Sequence, residues 1–313
     1  MTHAGWPALP YEEWRETLET LHRYTQVAGK LRLALSPFEP GWANVPLYVT
    51  PRGLTSSPIP VGSRAVDVEF DLVDHVVVMR SSDGMVERRR LGGSVAEFYA
   101  DFVRMLERLR VDVELSVVPS EVPDPIPFPD DHVHHVYEAP HASRFQQVLV
   151  IVDAVLKAHR ASFLGRTTPV HFFWGSFDLA VTRYSGRQIP PPSDGGVIAR
   201  YGADGEEICA GWWPGDQRIP YPAFYAYAYP PLAGLESKSI QPAGAAWNAA
   251  AGEFLFPYET ARADVDPRRA VLDFCASTYA AAAALGGWSD DLTHVNAPPY
   301  AGHRVVHRER INR

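Results

Sequence analysis

Lysine and cysteine are the scarce residues of this chain. Of 29 cationic residues only Lys30, Lys157 and Lys238 are lysines, and Cys209 and Cys275 are the only cysteines. Two cysteines so far apart, neither in a CxxC, give no support to a disulfide framework, a thiolate zinc site or thioredoxin-like chemistry. They read as buried thiols. Long apolar runs are missing as well. The longest, residues 270–285, is rich in alanine and carries Asp273, Ser277 and Thr278, short of the roughly 18 to 20 apolar residues that a membrane span needs. The opening Met-Thr-His-Ala-Gly-Trp-Pro lacks the basic-then-apolar order of an export signal. The expectation is a soluble cytoplasmic protein with no membrane partner. Positive charge is also short: a net charge of −8 argues against nucleic acid as a partner, because a basic face supplies most of that affinity. No GxxxxGK[ST], strand-linked GxGxxG, HExxH or GxSxG occurs. P-loop hydrolysis, dinucleotide binding, zincin proteolysis and α/β-hydrolase chemistry are therefore disfavoured, and no cofactor is identifiable.

What is present is a packed globular composition, 46% apolar and 21% charged over 313 residues, long enough for two domains. Residues 36–50, SPFEPGWANVPLYVT, align without gaps to residues 168–182, TPVHFFWGSFDLAVT. Apolar residues at helical spacing precede both windows, and an apolar run broken by Asp-Gly (Asp83-Gly84, Asp204-Gly205) follows each. A helix opens near Val95 and another near Val271. The fold class expected is α+β, an internal duplication of a helix–antiparallel strands–helix unit whose two pseudo-equivalent halves pack together. Residues 1–120 form the first unit and 141–290 the second, with an insertion. A Pro/His-rich extended linker, 121–140, separates them, and 291–313 form a tail. Nothing in the sequence speaks to oligomeric state.

Three groups of residues are candidates for a site. Along the strand at 171, alternation puts His171 and Phe173 on one face and Trp174, Ser176 and Asp178 on the other. His171, Ser176 and Asp178 have no counterparts in the first window, so they answer to something peculiar to the second. Asp178 and His171 are the candidate acid–base residues, although opposite faces keep them from one pocket. Tyr225, Tyr227 and Tyr229 share one strand face and, with Trp174 and Ser176, suit a flat or sugar-like ligand. Arg183 or Arg187 would meet an anionic group, and Lys30, rare in an arginine-using chain and clustered with Gln26 and Arg32, is a candidate anion contact or pKa-shifted amine. The bland readings are a loop-anchoring carboxylate and an aromatic core. The histidines at 132, 134, 135 and 141, beside Asp130 and Asp131, read as solvated linker residues; as metal ligands, His134 and His141 would be the better pair.

The strings HFFWGSFDLAVTR (171–183), VPLYVTPRGL (45–54) and FYAYAYP (224–230) resemble an uncharacterised bacterial family, the domain of unknown function 5996, over nearly the whole chain. The resemblance implies no activity. Where the family pattern has Ser-His-Glu, this chain reads Gly205-Glu206-Glu207. The function read from the residues is a small-molecule site, enzymatic or not, in an aromatic cleft weighted toward the second half. The alternatives are a protein-interaction module, or a metal-dependent enzyme using the linker histidines.

Overall fold

In the computed structural model, which describes residues 5–190, 192, 196–202 and 204–293, antiparallel sheets and helices share one apolar core. Helix α1 (Tyr11–Leu35) starts behind Pro10, with Glu12 and Glu13 in its first turn, where the helix dipole favours negative charge. Most of its residues from Trp14 to Arg32 are buried, so protein surrounds it on nearly every side. The first sheet contains β1 (Tyr48–Thr50), β2 (Gly53–Thr55), β3 (Ile59–Val61), β4 (Arg64–Asp71), β5 (Val76–Ser81) and β6 (Val86–Arg90). Its order is β1-β2-β4-β5-β6, with β3 beside β4. Asp83-Gly84 makes the tight β5–β6 turn, with Gly84 at φ 91°. On the outer strand β6, Arg88 and Arg90 face water, a charged edge that discourages pairing with another chain. Ser94 and Glu97 form a reciprocal capping box that opens α2 (Val95–Arg108).

The second half runs α3 (Ala139–Ala161), β7 (His171–Phe173), β8 (Asp178–Gln188), α4 (Gly196–Gly202), β9 (Gly205–Trp213), β10 (Ala223–Tyr229), β11 (Ala246–Asn248), β12 (Glu253–Pro257), α5 (Tyr258–Arg262) and α6 (Pro267–Gly286). The sheet order is β11-β12-β10-β9-β8-β7, antiparallel throughout. The two sheets touch where Leu47 and Phe172 exchange backbone hydrogen bonds of 2.8 and 2.9 Å. The core contains Leu9, Leu21 and Phe98 of the first half together with Phe172, Phe224 and Phe274 of the second. No helix among the described residues is long and apolar enough to cross a membrane.

The α+β class is as the sequence implies, and the order helix, antiparallel sheet, helix does occur twice. The aligned windows, however, are not equivalent. Trp42 ends a 3-10 turn (Pro40–Trp42) ahead of the short edge strand β1, whereas Trp174 lies in the turn joining β7 to the inner strand β8. Asp204-Gly205 does not make a tight hairpin turn, because the β8–β9 connection runs out through α4. Of the Pro-rich stretch after β8, Pro191 lies outside the described residues, as do 294–313 of the expected tail.

The segment expected as a linker, residues 121–140, keeps most of its positions at least partly open to solvent but is tied to the core at two points: Phe128 and Asp131 are fully buried. Asp131 pairs with His134 Nδ1 at 2.8 Å and with Arg23 of α1 at 3.5 Å, and its backbone oxygen accepts from Ala96 N at the start of α2. A buried carboxylate needs such partners. Proline set the expectation of an extended spacer, but side-chain burial decides whether an extended segment is a spacer or core. Phe128→Ala should therefore cost about 3–5 kcal/mol in denaturant unfolding, as for any core phenylalanine. A loss below about 1 kcal/mol would return the segment to solvent.

Candidate active or binding site: an acidic, aromatic cavity on the second sheet

One face of the second sheet packs on the core through Leu179, Val181, Trp212 and Phe224. The other face is set by strand alternation and lines a cavity of about 550 Å³. Three adjacent strands contribute in register. Ala180 of β8 is opposite Gly211 of β9 and Gly211 opposite Tyr225 of β10; the next rows are Thr182–Cys209–Tyr227 and Tyr184–Glu207–Tyr229. Asp178 begins β8, paired with Phe173 across the β7–β8 hairpin.

Asp178, only 6% exposed, anchors this surface. Ser176 Oγ donates to its Oδ1 and Tyr225 OH to its Oδ2, both in short contacts. Burial raises the Asp178 carboxyl above its usual range, and the two donors offset part of that rise. Tyr225 reaches Asp178 by lying across β9 at Gly211, where a Cβ would come within 2.3 Å of the phenol. Burial and the nearby carboxylate raise the Tyr225 hydroxyl well above its usual range, so it stays a donor. The Tyr227 ring stacks beside it, centroids 6.2 Å apart.

The walls come from four other places. Trp42 and residues 197–199 and 202 of α4 close one side, joined by a 2.8 Å hydrogen bond from Trp42 Nε1 to Ile198 O. Phe173 to Ser176 close another, and Ser120 and Glu121 a third. Helix α1 holds the last two in place. His22 Nε2 lies 3.0 Å from the carbonyls of Trp174 and Gly175, Gln26 bonds both backbone groups of Ser120, and Lys30 Nζ donates to Ser120 Oγ at 2.7 Å. These residues sit one turn apart on one helix face. The Trp174 ring rests on Gly29, where a Cβ would come within 2.3 Å, and Trp174 Nε1 donates to Val45 O at 2.9 Å.

Electrostatically the cavity is one-sided. Asp178, Glu207 and Glu121 line it, and no lysine, arginine or histidine does so among the described residues. Burial pushes the Glu207 carboxyl up to about 7, with Asp204 adding to the rise and Arg166 opposing it. Glu253 at the start of β12 is likewise raised to about 7, chiefly by burial. The Cys209 thiol is pushed up to about 12 by burial, which removes it as a nucleophile.

Several residues singled out from the sequence are elsewhere. Residues 171–178 are not one strand but a hairpin whose turn, Trp174 to Phe177, puts Phe177 at φ 60°. His171 and Asp178 consequently project to the same face, since His171 is opposite Ala180 and Phe173 opposite Asp178. His171 still does not line the cavity: it is buried edge-on against Phe173 and Tyr48, and burial lowers its imidazole to about 4. Arg183 projects from the opposite face into the core, where it donates to Ser162 Oγ at 2.9 Å and stacks on Phe163 and Tyr279. Arg187 is exposed; it bonds Glu206 and the carbonyls of Gly286 and Gly287 at the end of α6. Lys30 stops at Ser120, behind Trp174. An anion-receiving role for these three cations finds no geometry here. His134 turns to Asp131 and His141 Nδ1 lies 3.1 Å from Glu138, and the described residues contain no group of three or more His, Cys, Asp or Glu able to hold a metal.

Glu207, Trp42, Tyr184 and His22 of α1 escaped the sequence reading of the site. For Glu207 a signal existed. An acidic residue two positions before Cys209 on a strand shares that cysteine's face, and a strand carrying charge inside an aromatic-rich region is unusual. The positions contributed by α1 and Trp42 depend on tertiary folding.

Because the folded-state value of Glu207 lies above its ordinary 4.5, it contributes stability below about pH 4.5 that is lost as pH rises toward 7. Glu207→Gln should raise Tm by roughly 2–5 °C at pH 8 and leave it unchanged at pH 4.5. An unchanged Tm at pH 8, read by differential scanning calorimetry, would mean that Glu207 is fully hydrated.

No curated protein and no solved structure matches this chain. A family model does match, over residues 6–295, and its description assigns no function. That span includes both sheets and every cavity-lining residue named above. The chain therefore belongs to the family of unknown function DUF5996.

Proposed function

We propose that this protein binds a small molecule in the cavity over its second sheet, with Asp178, fixed by Ser176 and Tyr225, as the polar anchor. The observation that carries the reading is convergence. Alternate residues of three neighbouring strands present one buried carboxylate, a second carboxyl and four phenols to one concave volume, of the size drug-sized ligands occupy. A core of that kind would have closed on itself. Backbone conformation gives independent support. Of the seven described non-glycine residues with left-handed backbone, Trp42 and Glu121 line this cavity, and Phe177 belongs to the turn that carries Trp174 and Ser176 to it. Such strain persists where surrounding structure holds it, and it clusters at ligand sites.

Chemically, the phenols offer stacking faces and donors, and Asp178 offers lone pairs left over from two hydrogen bonds. Glu207 is the lining group suited to carry a proton at neutral pH, which is what acid–base chemistry on a bound ligand would need. One observation favours a second reading, a protein-interaction surface: Phe38, Val197, Ile198 and Tyr201 stand exposed together around α4 and the Trp42 turn. Those side chains border the roof of the same cavity, so the small-molecule reading accounts for them as its rim.

The two roles of Asp178 separate cleanly. As a ligand anchor, Asp178→Asn should abolish binding of any ligand found by thermal-shift screening, while Tm stays level or rises because a desolvated charge is gone. As a loop anchor, the same change should lower Tm and leave binding intact. Paired calorimetric and binding measurements on the variant decide between them, and the second pattern would sink the proposal.

A further inference from the structure

The lining of the cavity also points to the charge of its occupant, an inference that rests on the binding reading above. Asp178, Glu207 and Glu121 face the cavity, and the cations nearest to it are already engaged. Lys30 is tied to Ser120 behind the Trp174 ring, 5.4 Å from the ring centroid. Arg166 stacks on Tyr184, 4.1 Å from the ring centroid, and lies 3.8 Å from Asp204. The Glu207 carboxyl has no hydrogen-bond partner among the described residues. An anionic guest would meet three carboxyls with no compensating charge. A neutral guest would leave the carboxyls as they are. A cation meets a carboxyl and, at the same time, the negative faces of aromatic rings.

We propose that the ligand is an organic ammonium ion with an apolar or aromatic body. The charged nitrogen sits between Glu207 and the Asp178–Tyr225 pair, against the rings of Tyr227 and Tyr229. The body lies toward Trp42 and Phe173, where the wall is apolar. Glu121 stands exposed at the mouth, its side chain over Gly175, where it attracts cations on approach. Burial, and then the Asp178 carboxylate, raise the Glu121 carboxyl above its usual range, and a bound cation favours its ionised form.

The test is isothermal titration of the intact protein at pH 8 with three probes of one shape: 2-phenylethylammonium, 2-phenylethanol and phenylacetate. The ammonium should bind at least roughly tenfold tighter than the alcohol, with phenylacetate weakest. Glu207→Gln should reduce that preference for the ammonium over the alcohol severalfold. Tyr229→Leu, at a half-buried position, should reduce it as well. If the alcohol or the carboxylate binds as tightly as the ammonium, the charge assignment is wrong and the binding site stands. If no probe binds and Trp42 and Tyr227 fluorescence is unmoved by all three, both the charge assignment and the site reading fall.

Discussion

A carboxylate 6% exposed among aromatic rings is costly unless donors reach it, and meeting that requirement at Asp178 organises the surrounding structure. Tyr225 supplies one donor, but only by crossing β9, which requires a residue without a side chain at position 211. Ser176 supplies the other, but only because the β7–β8 turn folds back with Phe177 in the left-handed region. That turn is in turn gripped by His22 of α1 through two backbone carbonyls. Burial lowers His22 to about 4, so at neutral pH its imidazole is uncharged and adds no cation to the acidic cavity nearby.

Helix α1 therefore does more than fill space between the halves. Its buried polar residues each hold a segment that would otherwise be loop. Arg23 reaches Asp131, Gln26 and Lys30 hold Ser120, and Arg32 Nε donates to Asn44 O at 2.7 Å. Ser120 and the turn at Trp42 are parts of the cavity wall, so a helix from the first half positions a site built on the sheet of the second. This asymmetry explains why the two halves need not be alike. The first supplies scaffold and wall, and the second supplies the face that carries chemistry.

The fold class was legible because antiparallel strands and amphipathic helices announce themselves by period. On β10 the alternation of Tyr225, Tyr227 and Tyr229 translated directly into three phenols on one face, since an uninterrupted strand obeys its period. On residues 171–178 the same rule failed, because a four-residue turn without a proline or Asx-Gly signature interrupts it and resets which side chains face together. The Pro-rich segment misled for a related reason: proline fixes backbone shape but says nothing about whether a phenylalanine beside it is buried. Arg183 and Arg187 both lie on β8, yet one projects to its far face and the other, near the strand's end, reaches the carbonyls at the end of α6. Contributions from distant elements, such as those of Trp42, Ser120 and Glu121, have no local signature at all.

The account stands or falls on whether the space over β8, β9 and β10 is a ligand site. The most direct measurement is a crystal structure of the protein grown with 2-phenylethylammonium. The account predicts ligand density in the cavity with its nitrogen about 2.7–3.2 Å from a Glu207 or Asp178 oxygen, and the Tyr225–Asp178 contact preserved. A structure in which α4 packs down onto Tyr184 and Tyr227, leaving no space for a ligand, would contradict it.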